Sequence, residues 1–215
     1  MSAIYGCMRE SMRQTALHES GHALIYLLSG VPITAWSIRG KDNLGGFVEA
    51  DYAELPDHLE LTKNLAGHAA TGPQKPWNGA YETLPIDFEG GETDIQQTAR
   101  VVRKYLARAG LRGIVDNLNL VDDLMVSIWH KVRSLVLKKP FPHALEILSQ
   151  YMLQYKEDHG LSINLSMESH LRTLGMGRRN QEKMQNLLRE TQFKKILSSR
   201  HILARKAVLP DYEWI

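Results

Sequence analysis

The chain has 215 residues, of which 43% are hydrophobic and 23% charged, a composition typical of a soluble globular protein. This length suits one medium-sized domain or one domain with an appendage. The single cysteine, Cys7, excludes an intrachain disulfide framework. No apolar run approaches the roughly 18 residues of a membrane span, so we expect no integral membrane segment. We recognise no signal peptide and expect a cytoplasmic location.

The net charge of +2 conceals an uneven distribution along the chain. Residues 172–206 hold ten basic and two acidic side chains, a net charge of +8, which leaves −6 on the remainder. We therefore divide the chain into an acidic body at residues 1–175 and a basic helical C-terminal extension at residues 176–215.

The elements are predicted in chain order from hydrophobic periodicity and turn residues. The first helix is predicted over residues 9–29 and ends at Gly30 and Pro32. A β-hairpin is predicted next, with strands at 33–39 and 45–50. Residues 72–91, rich in glycine and proline, are predicted to form a long loop. The remaining helices are predicted over residues 56–70, 93–109, 120–137, 142–158 and 179–206. The fold class is thus mainly α with a small β element.

The first predicted helix contains His18-Glu19-Ser20-Gly21-His22, an H-E-x-x-H sequence. Residues four apart lie on one helix face, with Cβ atoms about 6 Å apart. Two imidazoles at this spacing can bind one zinc ion. Glu19 beside them is the expected general base, which takes a proton from zinc-bound water and passes it to the leaving amine. The sequence therefore predicts a Zn²⁺-dependent hydrolase with His18 and His22 as ligands and Glu19 as the catalytic residue.

The same pentapeptide also occurs by chance in helices that bind no metal. Here its apolar flanks would bury the helix, and Gly21 costs a helix about 1 kcal/mol relative to alanine. Because glycine destabilises a helix, its presence here indicates that another element packs closely against this one, or that room is needed near the metal. A catalytic zinc also requires a third protein ligand. The extended metzincin-type motif does not supply it, because the residue six past His22 is Leu28.

Three stretches resemble the peptidase domain of the FtsH family of AAA+ zinc proteases. Thr15–Leu24 resembles that family's metal-binding helix, and Leu65–Ala70 resembles its glycine- and alanine-rich helix. Gly90–Ala99 resembles the segment that supplies the family's third zinc ligand, an aspartate. The likeness implies a multihelical FtsH-peptidase-like domain with a small sheet near the zinc-binding helix, and it implies Asp94 as the third ligand. Without the resemblance, Asp94 would be interpreted as an acid that stabilises a helix N-terminus.

The chain also departs from this family. FtsH proteins carry a membrane anchor and an ATPase module, whereas this sequence holds no G-x-x-x-x-G-K-[ST] phosphate loop. Thr71 and Gly72 stand where the family has two acidic residues. The resemblance thus implies an ATP-independent endopeptidase for unfolded or flexible polypeptides. The substrate would add as a strand along residues 33–39 or 45–50, although a purely structural hairpin is an equal alternative.

Partners are suggested by the basic extension and by the family. The extension is interpreted first as a solvated helix face, and second as a docking surface for an acidic partner such as a trans-acting unfoldase or adaptor. The absence of interleaved aromatic residues argues against nucleic acid. The hexameric ring of the FtsH family raises the expectation of a homo-oligomer.

Weaker features receive ordinary interpretations. His68 is interpreted as a packed or surface residue and Cys7 as a terminal thiol, neither being assigned to the metal. The other histidines show no metal-like spacing. Two functional alternatives stay open: a dedicated regulatory protease for one partner protein, and a catalytically silent peptidase-like binding module.

Overall fold

The computed structural model describes residues 2–38, 46–51, 55–77, 93–108, 118–155, 157–158 and 177–189. Across these ranges the protein is mainly helical, with six α-helices and one small antiparallel sheet, as the sequence predicts. The helices are α1 Ser2–Leu28, α2 Asp57–Thr71, α3 Asp94–Arg108, α4 Leu118–Val136, α5 Phe141–Tyr155 and α6 Arg178–Leu188. The strands are β1 Ile33–Ser37, β2 Phe47–Ala50 and β3 Glu157–Asp158.

Helix α1 is the central element, and it packs against α2 on one side and α5 on another. It begins at Ser2, earlier than the sequence predicts, and it ends where glycine is expected to end it. Gly30 adopts a φ of 73°, its N–H donates to the Leu27 carbonyl at 3.1 Å, and the Val31 N–H donates to the Tyr26 carbonyl at 2.9 Å. This pair of bonds is a Schellman motif, which favours glycine because of the positive φ.

The predicted hairpin is confirmed and forms part of a three-stranded sheet in the order β2-β1-β3. Strands β1 and β2 are antiparallel, with Trp36 opposite Val48 and Ser37 opposite Phe47. The register shifts between Ile33 and Ala35, as at a β-bulge. Because β1 has a neighbour on both sides, β2 is an edge strand within the described part of the sheet.

The predicted ends of two helices are wrong. The last helix, predicted to continue to residue 206, ends at Leu188, and the non-helical Arg189 follows it. The helix predicted over 142–158 ends at Tyr155, and Glu157–Asp158 instead forms β3. These two residues pair with Ser37 and Trp36 of β1. Pairing with a strand that is distant in sequence therefore prevails over the local helical pattern at this end.

Helices α4 and α5 supply much of the apolar core. Trp129, Phe141 and Val132 are fully buried there, and Trp77 meets Trp129 edge-on with ring centroids 6.2 Å apart. Trp77 also donates its indole N–H to Asp122 at 2.6 Å. A buried tryptophan thus satisfies its polar atom while packing α4 against the segment that follows α2.

The start of the basic extension packs onto the body. Met184 and Leu188 of α6 are buried in the common core, and the Gln185 amide donates to the Leu28 carbonyl at 3.2 Å. The basic side chains beyond residue 189 lie outside the described residues. In the part of the chain that is described, no helix has both the length and the apolar character needed to cross a bilayer.

Candidate metal centre

The imidazoles of α1 converge on one carboxylate oxygen of α3. His18 Nε2 and His22 Nε2 each lie 3.1 Å from Asp94 Oδ2. The two histidines are one helical turn apart, and their ring centroids are 4.8 Å apart. Asp94 is 76 residues from His18 in sequence. The structure therefore brings together the three residues that the sequence and the family resemblance assign to zinc.

Two glycines allow α1 and α2 to approach each other at the site. A Cβ added at Gly21 would lie 2.6 Å from the backbone of Ala66 and Gly67. A Cβ at Gly67 would lie 2.7 Å from His22 Nε2 and 2.8 Å from His18 Nε2. Gly21 thus permits close helix packing, one of the two roles predicted for it. Gly67 provides the room beside the imidazoles.

A capping box fixes the start of α3 and thereby places Asp94. The Thr93 N–H donates to Gln96 Oε1 at 2.8 Å, and the Gln96 N–H donates to Thr93 Oγ1 at 3.3 Å. This reciprocal pair satisfies two N–H groups that the first turn leaves without helical partners. Asp94 follows as the first residue of the helix, where a carboxylate is also favoured by the helix dipole.

The orientation of His22 is set by a backbone carbonyl of α2. Its Nδ1 lies 2.9 Å from the Lys63 carbonyl oxygen, so this nitrogen carries the hydrogen and donates it. In the neutral ring, Nε2 is then the nitrogen with a free lone pair, aimed at the Asp94 side of the site. Metal-binding histidines commonly use their second nitrogen in this way, which fixes the tautomer and ring direction.

The spacing of these atoms fits a small tetrahedral cation. Ligand atoms about 2.0–2.1 Å from a zinc ion at the centre of a tetrahedron are about 3.3 Å from one another. The two 3.1 Å separations between histidine nitrogen and Asp94 oxygen are close to that length. Imidazole nitrogen and carboxylate oxygen are both accepted zinc ligands. The donor set and these two of the three ligand separations are thus compatible with zinc.

A third histidine lies in the same cluster, and the sequence did not assign it there. His68 Nε2 is 3.6 Å from Asp94 Oδ2, and its ring meets that of His18 edge-on with centroids 4.6 Å apart. Potential ligand atoms of His18, His68 and Asp94 all lie within 4.8 Å of one another, so this group could hold a metal ion. The one available signal was its place in Leu65–Ala70, a stretch that carries the family resemblance.

Burial and mutual charge control protonation in the cluster. Burial acts to raise the pKa of Asp94, but the imidazoles of His22 and His18 hold that pKa well below its usual range. Burial, aided by the neighbouring His18, lowers the pKa of His68 to about 4. His68 is therefore neutral near pH 7, with a lone pair available for coordination. For His22, burial acts to lower the pKa, but the Asp94 and Glu19 carboxylates raise it overall.

Glu19 lies beside the cluster but outside it. Its side chain is buried, and a Cβ added at Gly46 would lie 2.7 Å from Glu19 Cγ. Burial raises the pKa of Glu19 above its ordinary value, in opposition to the neighbouring His22 and His18. A carboxylate with a raised pKa is a stronger proton acceptor, which suits a general base.

The cluster opens into a cleft of about 500 Å³. Strand β2 lines one side of it through Phe47, Val48 and Glu49. Lys63 lines another side and is 7% exposed, with its ammonium 3.3 Å from Gln97 Oε1 and 5.8 Å from the Tyr26 ring centroid. The cleft is therefore lined by the edge strand β2, by the buried Lys63 and by the cluster of His18, His22, His68 and Asp94.

The other residues weighed in the sequence lie elsewhere. His58, His130 and His143 do not line the cleft or join the cluster. The side chains of Cys7, His159, His170 and His201 lie outside the described residues.

No protein-family model, no curated protein and no solved structure matches this chain. The site must therefore be interpreted from its own geometry.

Proposed function

We propose that this chain is a zinc-dependent endopeptidase of the FtsH-like type. The observation that carries the proposal is the approach of His18 Nε2 and His22 Nε2 to the same Asp94 oxygen, at 3.1 Å each. A buried glutamate directly follows the first histidine and lines the same cleft. This is the donor set of a catalytic zinc site, together with the base that peptide hydrolysis requires.

Each residue has a distinct role in this proposal. His18, His22 and Asp94 hold the ion, and the Lys63 carbonyl keeps the His22 ring in its ligating tautomer. Zinc, when bound, supplies a water of lowered pKa and polarises the scissile carbonyl. The Glu19 carboxylate accepts a proton from the attacking water and donates it to the nitrogen of the leaving amine.

The substrate proposed is an extended polypeptide bound along β2. This strand lines the cleft and is an edge of the described sheet, whereas β1 lies between two strands. Of the two candidate strands, β2 is thus the better supported. Main-chain hydrogen bonds to a strand edge give affinity with little dependence on sequence. Such binding requires the substrate to be unfolded or flexible at the point of cleavage.

The proposal extends to the partners of the chain. Because the sequence has no phosphate loop, we propose that the chain cleaves flexible polypeptides without ATP. Folded substrates would need a trans-acting unfoldase or adaptor, for which the basic extension is the proposed docking surface. Self-association into a homo-oligomer is proposed by analogy with the FtsH ring.

The test compares wild type with Glu19→Gln for zinc content and for cleavage of casein and of a fluorogenic peptide. We expect zinc to be retained and cleavage to fall by at least about 100-fold, since general base catalysis contributes about 10²–10⁴-fold. Glu60→Gln is the matched control, because Glu60 is a half-buried glutamate of α2 that does not line the cleft. Zinc-free wild-type protein, or full activity in Glu19→Gln, would overturn the proposal.

A further inference from the structure

His68 lies against the cluster formed by His18, His22 and Asp94. Its Nε2 is 3.6 Å from Asp94 Oδ2, which is longer than a hydrogen bond. Its ring is mostly enclosed, with 28% of the side chain exposed. Among the described residues its imidazole nitrogens have no hydrogen-bond partner. Together with His18 and Asp94, His68 forms a group whose potential ligand atoms all lie within 4.8 Å of one another and could hold a metal ion.

The position of His68 on α2 follows from the neighbouring glycine. Gly67 lets the α2 backbone reach van der Waals contact with the two imidazoles of α1. The next residue, His68, then lies against the His18 ring, with planes 85° apart. Of the four clustered side chains, His68 is the most exposed and His22 the least, at 28% and 9%. His68 therefore occupies the side of the cluster that faces solvent.

Resting on the zinc site proposed above, we infer that His68 is a fourth protein ligand to the same ion. Three imidazoles and one carboxylate would then hold the ion with four protein ligands, which would leave a tetrahedral ion no position for water. A shell closed by four protein ligands is typical of structural zinc, whereas catalytic zinc keeps one open position. The substrate-free site is therefore closed, and His68 must withdraw before a substrate carbonyl or a water can take its place.

The direction of regulation follows from where His68 lies. It lines the same cleft as β2, so a polypeptide bound along β2 competes with His68 for the solvent side of the cluster. Substrate binding thus opens the site, whereas Glu19 is already in place.

The test uses the full-length chain loaded with Co²⁺, whose visible spectrum reports the coordination shell. We expect the wild-type spectrum to be unchanged by azide, because no exchangeable position is available. In His68→Ala, azide should alter the spectrum, and the Kd for Zn²⁺ in a chelator competition should rise by at least about tenfold. Even residues outside the ligand shell change metal affinity by about 10–100-fold.

His58→Ala is the matched control, since it removes a histidine from the same helix about 15 Å away. It should reproduce both wild-type measurements. His68→Gln provides a second variant if His68→Ala does not fold by circular dichroism. Unchanged Zn²⁺ affinity and an unchanged azide response in the folded His68 variant would overturn the inference and leave the peptidase proposal intact. Wild type that binds neither metal would instead overturn both.

Discussion

Gly67 and His22 are so close that a methyl group on Gly67 would lie 2.7 Å from the imidazole Nε2. That nitrogen is also the one that faces Asp94. The histidines of α1 can thus approach the carboxylate of α3 only because position 67 of α2 carries no side chain. A single methyl group added at Gly67 would therefore displace the imidazoles of the cluster, although the backbone of α2 supplies no ligand.

Gly67→Ala should weaken zinc binding by at least about tenfold, because the added methyl displaces both His18 and His22 from their positions. The Kd for Zn²⁺ measured by chelator competition checks this. Gly72→Ala is the control, since a Cβ there meets nothing within 4 Å and the residue has an ordinary extended backbone. Equal Kd values for the two variants would contradict the expectation.

Gly21→Ala should destabilise the fold, because its Cβ would lie 2.6 Å from the α2 backbone, which cannot move aside as a side chain could. Overpacking costs about 1–3 kcal/mol, and better helix propensity returns up to about 1 kcal/mol. The two effects leave a net loss of about 0–3 kcal/mol, and because the clash is with backbone we expect the free energy of unfolding to fall by at least about 1 kcal/mol in urea titrations. A variant as stable as wild type would show that α1 and α2 are not in direct contact at this point. Gly177→Ala, where a Cβ meets nothing within 4 Å, controls for the general effect of the substitution.

Asp94→Ala should remove most of the stabilisation that zinc provides. A ligand present at 1,000 times its Kd stabilises the folded state by about 4 kcal/mol, which for a chain of this size raises Tm by roughly 10 °C. We expect this shift in wild type and only a small one in the variant, measured by differential scanning fluorimetry with and without Zn²⁺. Asp123→Ala, an acid of α4 away from the cleft, should keep the full shift. A full shift in Asp94→Ala would exclude the carboxylate as a ligand.

Proline substitutions in β2 should separate peptide binding from folding. Successive N–H groups of a strand point to opposite edges, so one of Phe47 and Val48 donates toward β1 and the other toward the cleft side. We expect one of Phe47→Pro and Val48→Pro to unfold at a lower temperature. The other should keep its Tm and its zinc but show a raised KM for peptide cleavage. If that stable variant cleaves with wild-type kinetics, the substrate does not add to β2.

The sequence predicted the parts of the site that depend on local spacing. His18 and His22 are four residues apart in a strongly predicted helix, so their common face followed from helix geometry alone. Asp94 was assigned by resemblance, and its helix start was foreseen because Thr93 and the acids beside it are typical of a helix N-terminus. The mainly helical fold and the hairpin followed in the same way from periodicity and turn residues.

The sequence could not predict what depends on how distant elements pack. His68 has no partner within its own helix, and it joins the cluster only because Gly21 and Gly67 allow α1 and α2 to come close. Strand β3 was misassigned to a helix because its pairing partner, β1, is about 120 residues earlier in the chain. Local patterns carry no information about either contact.

Lys63→Met should leave the fold and the metal site intact. The ammonium of Lys63 is buried beside a neutral amide oxygen and an aromatic ring, and replacing a buried charge by an apolar group of similar size is often neutral or stabilising. We expect an unfolding free energy equal to wild type or higher by about 1 kcal/mol, and an undiminished Zn²⁺ affinity. Lys63→Ala, which also loses packing, should be less stable than Lys63→Met; a large loss in both would show that the charge itself is required.

The acceptor that orients His22 is the peptide oxygen of Lys63, an atom that every amino acid carries. A substitution at position 63 therefore changes the side chain that lines the cleft, while the His22 imidazole keeps its hydrogen bond and its tautomer. For the proposed peptidase we therefore expect substitutions at position 63 to change cleavage preference without loss of the metal. In the proposed peptidase, substrate preference can thus change at this position while the residues of the catalytic centre stay the same.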